Sequence, residues 1–362
     1  MKAKMKIKSL YLIGLLFYTS VLFGQQEQKS NTIQICLLLD ISSSMNGLVN
    51  QVQNEFWKTI TYLETFQKDS AATRVEIGVL SYGTHDGQVQ LISDFTADMD
   101  VLAAQLFTLQ VGGGEEYCGA AIQTALDRLS WSTQPIFKCI IIAGNESFNQ
   151  GSVSFETAIE NSVSKDILVN TIFCGLKAQG IDGKWELGAE LGNGYYMAIN
   201  QDIGVTQFTT PFDNKLMEFY LNYKSTLLYQ TLKDPQIFMP INDPNGNISP
   251  TYRDMVIYKF NKRQRKPDLI DDFYNSNWEL DKIDKTQLPD KWQAMSEQRL
   301  KFSLLQFAQK RQTYIEGFNL YASKIQEFLK NKIEPNLEGK TLDAALKEIL
   351  SEQLTQYGFK KE

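Results

Sequence analysis

The sequence predicts an α/β domain with a mostly parallel sheet, followed by an α-rich C-terminal region. Three observations predict it. Residues 32–39 form a nearly continuous apolar run, the composition of a strand buried on both faces. An amphipathic helical pattern follows at once. Strand and helix patterns then alternate as far as residue 205, as βα units do.

In chain order, Thr32 to Leu39 is the first strand. Leu48, Val52, Phe56, Ile60 and Leu63 recur at three- and four-residue steps, which makes a helix of about 48–66 with one apolar stripe. Val75 to Leu80 and Val89 to Ile92 are strands separated by the turn Gly83–Gly87. Residues 98–109 and 119–130 read as helices, Phe137 to Ala143 as a strand, Phe155 to Ser164 as a helix and Ile167 to Cys174 as a strand. Gly192 to Gly194 leads into a last strand, Tyr195 to Ile199. The α/β domain therefore spans about 30–205, and 206–362 is the α-rich region. There, Phe212 to Leu232 reads as helical, and 234–250 is a loop with Pro235, Pro240, Pro244 and Pro250. Pro289 can open a helix, 295–330 is one long helix or two in series, and 341–357 is a final helix. No internal repeat is found.

Residues 1–24 stand apart. Lys2, Lys4, Lys6 and Lys8 precede an apolar stretch from Leu10 to Phe23, with the small Gly24 behind it. That order matches a secretory signal peptide, and the stretch is short for a stable span of about 20 residues. The expectation is an exported protein, periplasmic or at the cell surface, with no transmembrane segment after signal removal. Removing 1–24 deletes four lysines and no acids, taking the net charge from −6 to −10. An acidic chain argues against nucleic acid as a partner, since phosphate contacts need clustered Lys and Arg. The one basic run, Lys259 to Lys266, reads as a solvated loop. A single histidine, His85, lies in the Gly83–Gly87 turn, which removes multi-histidine zinc sites. Gly112-Gly113-Gly114 lacks the Lys-Ser/Thr of a phosphate-binding loop, and no nucleophile elbow or paired catalytic carboxylates are found, so no enzymatic activity is expected.

The informative motif is Asp40-Ile41-Ser42-Ser43-Ser44, directly after the first buried strand. It places one carboxylate and two hydroxyls at the carboxyl end of a central strand, where open α/β sheets bind ligands. Oxygen donors suit a hard cation, Mg²⁺ above all, with Mn²⁺ or Ca²⁺ as other occupants. The alternative is that Asp40 or a serine only caps the helix that follows.

With this D-x-S-x-S motif between a buried strand and an amphipathic helix, residues 32–205 resemble the von Willebrand factor A (VWA) family, and the motif resembles its metal-ion-dependent adhesion site. The resemblance implies a Rossmann-like sheet with helices on both faces. It also implies recognition of a protein partner through the top-face metal, whose coordination a partner carboxylate can complete. The segments Trp185–Ala189 and Gly192–Tyr196 resemble the end of bacterial members, and Phe273–Trp278 with the long helix resembles an extension attached to some of them. Two loops depart from the family pattern. Where the second loop usually supplies a threonine, Glu116 stands, with Glu115 beside it. Where the third usually reads Thr-Asp-Gly, this chain has Ala143-Gly144-Asn145-Glu146, so the aspartate position is Gly144. The ligand set expected of this degenerate site is Asp40, Ser42, Ser44 and Glu116, with Glu115, Asn145 and Glu146 as further candidates. Four cysteines are present. The family places Cys36 and Cys139 on neighbouring strands as buried thiols. Cys118 and Cys174 fall on the site-bearing face, either joined by a disulfide that braces the metal loop or free. The function expected is a protein-binding or adhesion module, the alternative an envelope assembly or maturation scaffold whose site is metal-free or purely structural.

Overall fold

The computed structural model describes residues 31–202, 208–227, 241–264, 288–330 and 340–361, with residues 239, 268, 270–271, 274, 286 and 332 between them. The expected signal segment, residues 1–24, and the stretch 275–278 lie outside the described residues.

A six-stranded sheet carries the fold. Its strands are β1 (Thr32–Asp40), β4 (Arg74–Tyr82), β5 (Gln90–Thr96), β6 (Phe137–Gly144), β7 (Leu168–Cys174) and β8 (Tyr196–Ile199), in the order β5-β4-β1-β6-β7-β8. All neighbours are parallel except the edge strand β5, which returns antiparallel to β4. The parallel α/β expectation holds. β1 sits at the centre because its apolar run has side chains for both faces: Ile33, Ile35 and Leu39 enter one core, Cys36 and Leu38 the other. β2 (Phe66–Lys68), β3 (Ala71–Ala72) and the chain end β9 (Lys360–Lys361) make a second, small sheet.

Helices cover both faces. α3 (Cys118–Arg128), α4 (Phe155–Val163) and α6 (Trp185–Leu191) pack on one, and α1 (Asn46–Leu63) and α2 (Met99–Leu106) on the other. α5 (Lys177–Asp182) and α6 have only six and seven residues, too few for a periodic signal in the sequence. Beyond β8 come α7 (Asp213–Ser225), α8 (Pro250–Gln264), the single turn α9 (Asp290–Gln293) and the long α10 (Glu297–Lys330). α8 lies against α1, with the Tyr258 and Trp57 rings 5.2 Å apart, and α10 packs across α7 and α8 through Phe219–Tyr321 and Phe260–Phe318 stacking. The fully buried Arg311 of α10 ties this layer together, pairing with Asp268 and Asp271 and donating to Thr226 behind α7.

α8 corrects the solvated-loop reading of the basic run. Lys259 pairs with Asp100 at 3.1 Å, Lys262 with Glu64 at 3.7 Å and Arg263 with Asp268 at 3.0 Å. These charges staple the helix to its neighbours, and no phosphate is needed to balance them.

The last helix, α11 (Leu342–Gln356), returns to the sheet beside α1, where Leu342, Ala345, Leu346, Ile349, Leu350 and Leu354 enter the same core as β1. Its N-terminal amides are satisfied by α1: Gln51 Oε1 accepts from Leu342 N at 2.7 Å and Glu55 Oε2 from Asp343 N at 3.1 Å, while Thr341 caps Ala344. No described helix is long and apolar enough to cross a membrane.

Candidate functional site

Four loops meet above the carboxyl ends of β1, β4 and β6. The loop after Asp40 is tied to the glycine-rich loop before α3, with Gly112 N donating to Ile41 O at 2.7 Å and Ser43 Oγ to Gly113 O at 3.2 Å. Glycine is required there: Gly113 has φ +123°, and a Cβ on it would lie 2.3 Å from the Gly83 carbonyl oxygen of the third loop. The fourth loop joins through Asn145, whose amide exchanges contacts of 3.0 and 3.3 Å with Ser44 Oγ.

At the focus, Asp40 is fully buried. Its Oδ1 accepts from Ser42 N at 2.7 Å, and its Oδ2 is buried with no hydrogen-bond partner. Ser42 Oγ and Ser44 Oγ are 3.1 Å apart. The buried Glu116 brings its carboxyl within hydrogen-bonding reach of Asp40 and Ser42. Burial, and then the Asp40 carboxylate, push the Glu116 carboxyl up to about 8, and burial also raises Asp40. Two carboxyls facing each other out of water need a positive charge between them. A shared proton supplies it, and so does a cation.

Of the residues anticipated from the sequence, Asp40, Ser42, Ser44, Glu116 and Asn145 are thus brought to one place. Glu115 is not; its exposed carboxylate turns to the Tyr117 hydroxyl. Glu146 stands at the rim, exposed, its charge felt by both Asp40 and Glu116 while its carbonyl accepts from Trp185 Nε1 at 2.6 Å. No three His, Cys, Asp or Glu side chains cluster as ligands among the described residues. The donor set is two carboxylates supplemented by hydroxyls and an amide oxygen, all hard oxygens, and the unpartnered Asp40 Oδ2 fits a Mg²⁺-type ion.

Of the two alternatives for Cys118 and Cys174, the structure has the free one: all four cysteines are free and buried. Cys118 Sγ instead lies 3.9 Å from the Tyr82 hydroxyl under the site, and burial raises both thiols well above their ordinary range. His85 is exposed in its turn.

Three contributors carry no motif. Tyr82 donates to Ala143 O at 2.9 Å and fills the space beneath Gly144. Gln201, after β8, donates to Ser44 O at 3.1 Å and accepts from Leu48 N at 3.3 Å, so it holds the loop after Asp40 and the start of α1 together. Gln51 of α1 in turn donates to the carbonyls of Asn200 and Gln201. Only the position of Gln201 just beyond a strand end hinted at a role.

Solved structures similar to the chain include BatB from Bacteroides thetaiotaomicron (16% identity, 46% of this chain and 90% of that one, TM-score 0.38) and the SpRpn10 VWA domain (15%, 47% and 89%, 0.37). Proximal thread matrix protein 1 from the mussel byssus, with a zinc-occupied MIDAS motif, is also similar (13% identity, 48% of this chain and 43% of that one, TM-score 0.37). No curated protein matches the chain in sequence. The model of the von Willebrand factor type A domain family matches residues 35–143, from the first buried strand through the glycine-rich loop to the strand that precedes Gly144. The chain thus carries a von Willebrand factor type A domain, and the converging loops stand where β1 and β6 of that domain end.

Proposed function

We propose that this chain is an exported, non-enzymatic protein-binding module whose top-face loops hold a Mg²⁺-type cation. Asp40, Ser42, Ser44 and Glu116 are its ligands, with Asn145 and Glu146 positioning water, and Glu115 stays outside. The observation that carries this reading is the buried Asp40 Oδ2 without a partner, beside a second carboxyl and two hydroxyls. Bound there, the ion would order the loops that face a partner. The non-enzymatic reading is supported by the cysteines, whose burial and raised thiols make them poor nucleophiles. Export is supported by the basic and apolar character of residues 1–24.

Calorimetric titration of Mg²⁺ and Mn²⁺ into chelator-treated protein tests the site. Saturable binding that Asp40→Ala abolishes is expected. No binding at millimolar metal, with Asp40→Ala indistinguishable from the parent, overturns it. One observation favours the second reading, an assembly scaffold with a metal-free site: the loops are already joined by the Ile41–Gly112, Ser43–Gly113 and Ser44–Asn145 bonds. A partner retained equally in Mg²⁺ and in EDTA during a pull-down would decide for it.

A further inference from the structure

The loops that surround the candidate centre carry an acidic excess, and the turn Gly183–Lys184, whose Gly183 carbonyl accepts from Phe148 N, adds one exposed lysine beside them. Residues 41–45, 83–89, 107–117, 145–154, 175–176 and 200–202, with Asp40 at the end of β1, hold six carboxylates: Asp40, Asp86, Glu115, Glu116, Glu146 and Asp202. They hold no lysine or arginine. A divalent ion balances two of the six and leaves four, of which Asp86, Glu115, Glu146 and Asp202 are exposed. The cluster is not merely a solvated rim, because at its centre the fully buried Asp40 keeps an oxygen, Oδ2, that accepts from no amide or hydroxyl, with the Glu116 carboxyl beside its side chain. A partner carboxylate approaching this face would meet the uncompensated charge of Glu146, already felt by Asp40 and Glu116, before reaching any ion. Glu116 also occupies the place where an uncharged threonine would leave the ion more electrophilic.

We infer that the partner of this face is a protein presenting a lysine or arginine side chain, and that the site selects against acidic partners. This deepens the binding-module reading and takes from it only the two charges of the ion. With those charges absent the face is more negative still, so the preference for a cation persists without metal. Arginine suits an acidic rim best, because its fork of donors can engage a carboxylate such as that of Glu146 through two parallel bonds. Attraction between exposed charges is screened by salt, which gives the inference a signature that shape complementarity lacks.

The test uses the full chain and blocked peptides of the form Gly-X-Gly-X-Gly, with X as Arg, Lys, Gln or Glu, followed by NMR shift titration at low and physiological ionic strength. The Arg and Lys peptides should bind at least ~10-fold tighter than the Gln peptide at low salt, weaken as salt rises, and keep their preference in EDTA. The exposed double variant Glu115→Gln/Glu146→Gln should lose most of that preference with its melting temperature unchanged. Tighter binding of the Glu peptide than of the Gln peptide in Mg²⁺ overturns the inference, and so does equal binding of all four. The metal titration is read separately. A failed titration with an intact Arg preference removes the ion and leaves the cationic partner, and the reverse removes the cationic partner alone.

Discussion

A methyl group on residue 144 would sit 2.4 Å from the Tyr82 hydroxyl and 3.1 Å from both Asp40 Oδ2 and the Trp185 ring. The phenol therefore occupies the volume that a side chain at this position would need, and it is held there by its bond to Ala143 O. A side chain at 144 is thus excluded sterically, and the second carboxyl beside Asp40 comes from Glu116 of the neighbouring loop. Gly144→Ala should destabilise the protein by about 1–3 kcal/mol, as overpacking does. In a Tyr82→Phe background, where the closest atom is gone, the same change should cost measurably less by thermal denaturation; equal costs would show that the hydroxyl is not the obstacle. The Asp40–Glu116 pair gives a second residue-level expectation. Glu116 has a raised carboxyl, about 8 in the fold against an ordinary 4.5, so the stability it contributes is fully present below 4.5 and is lost as pH rises through about 8. Without divalent metal, the melting temperature should fall over that window, and Glu116→Gln should flatten the fall. Added Mg²⁺ should flatten it too, because the ion replaces the proton between the carboxyls. A profile unchanged by Glu116→Gln would assign the slope to other groups.

At the scale of elements, the C-terminal α11 is fastened by side chains of α1. Gln51 accepts from Leu342 N and donates to the carbonyls of Asn200 and Gln201, so one buried amide joins α1, the end of β8 and the start of α11. Gln51→Ala leaves these groups unsatisfied and should cost about 1–3 kcal/mol. Hydrogen exchange should then quicken in α11 more than in α3 on the opposite face; a uniform change across both helices would refute the local account. Much of this level was legible in the sequence. The apolar run of β1, the stripe of α1 and the final helix were readable from periodicity, and the helix expected at 341–357 is observed at Leu342–Gln356. Its destination was not readable, because a periodic stripe marks which face is buried and not what buries it. Gln51 and Glu55 gave no signal either, since polar residues in an amphipathic helix usually face water. The site shows the same division. Asp40, Ser42 and Ser44 are a local motif, whereas Tyr82 and Gln201 act through contacts that span 61 and 157 residues. The basic run misled because five like charges in sequence resemble a solvated loop, while in α8 Lys259, Lys262 and Arg263 face acids from outside the helix.

For the molecule as a whole, the course of the chain separates what the α/β domain needs from what it carries. Asn200 N donates to Lys340 O at 3.1 Å, so the end of β8 and the approach to α11 are adjacent although 140 residues apart. The chain between them leaves the domain and returns to the same point, and α11 then fills the sheet face beside α1. Five large apolar side chains of α11, Leu342, Leu346, Ile349, Leu350 and Leu354, are buried there, each worth roughly 1.5–3 kcal/mol. Their total is comparable with the whole stability margin of a domain, about 5–15 kcal/mol. A fragment ending at residue 205 should therefore expose Ile35, Val52, Phe56 and Ile141 and behave as an aggregating or loosely packed chain. A variant with 203–339 replaced by a short Gly/Ser linker should keep α11 in place and unfold cooperatively. Its melting temperature should be lower than that of the full chain, because Trp57 loses its cover from Tyr258 of α8. Near-ultraviolet circular dichroism and thermal melts of the two proteins distinguish these outcomes. If the fragment ending at 205 melts as cooperatively as the linked variant, α11 is an accessory to the domain and not part of its core.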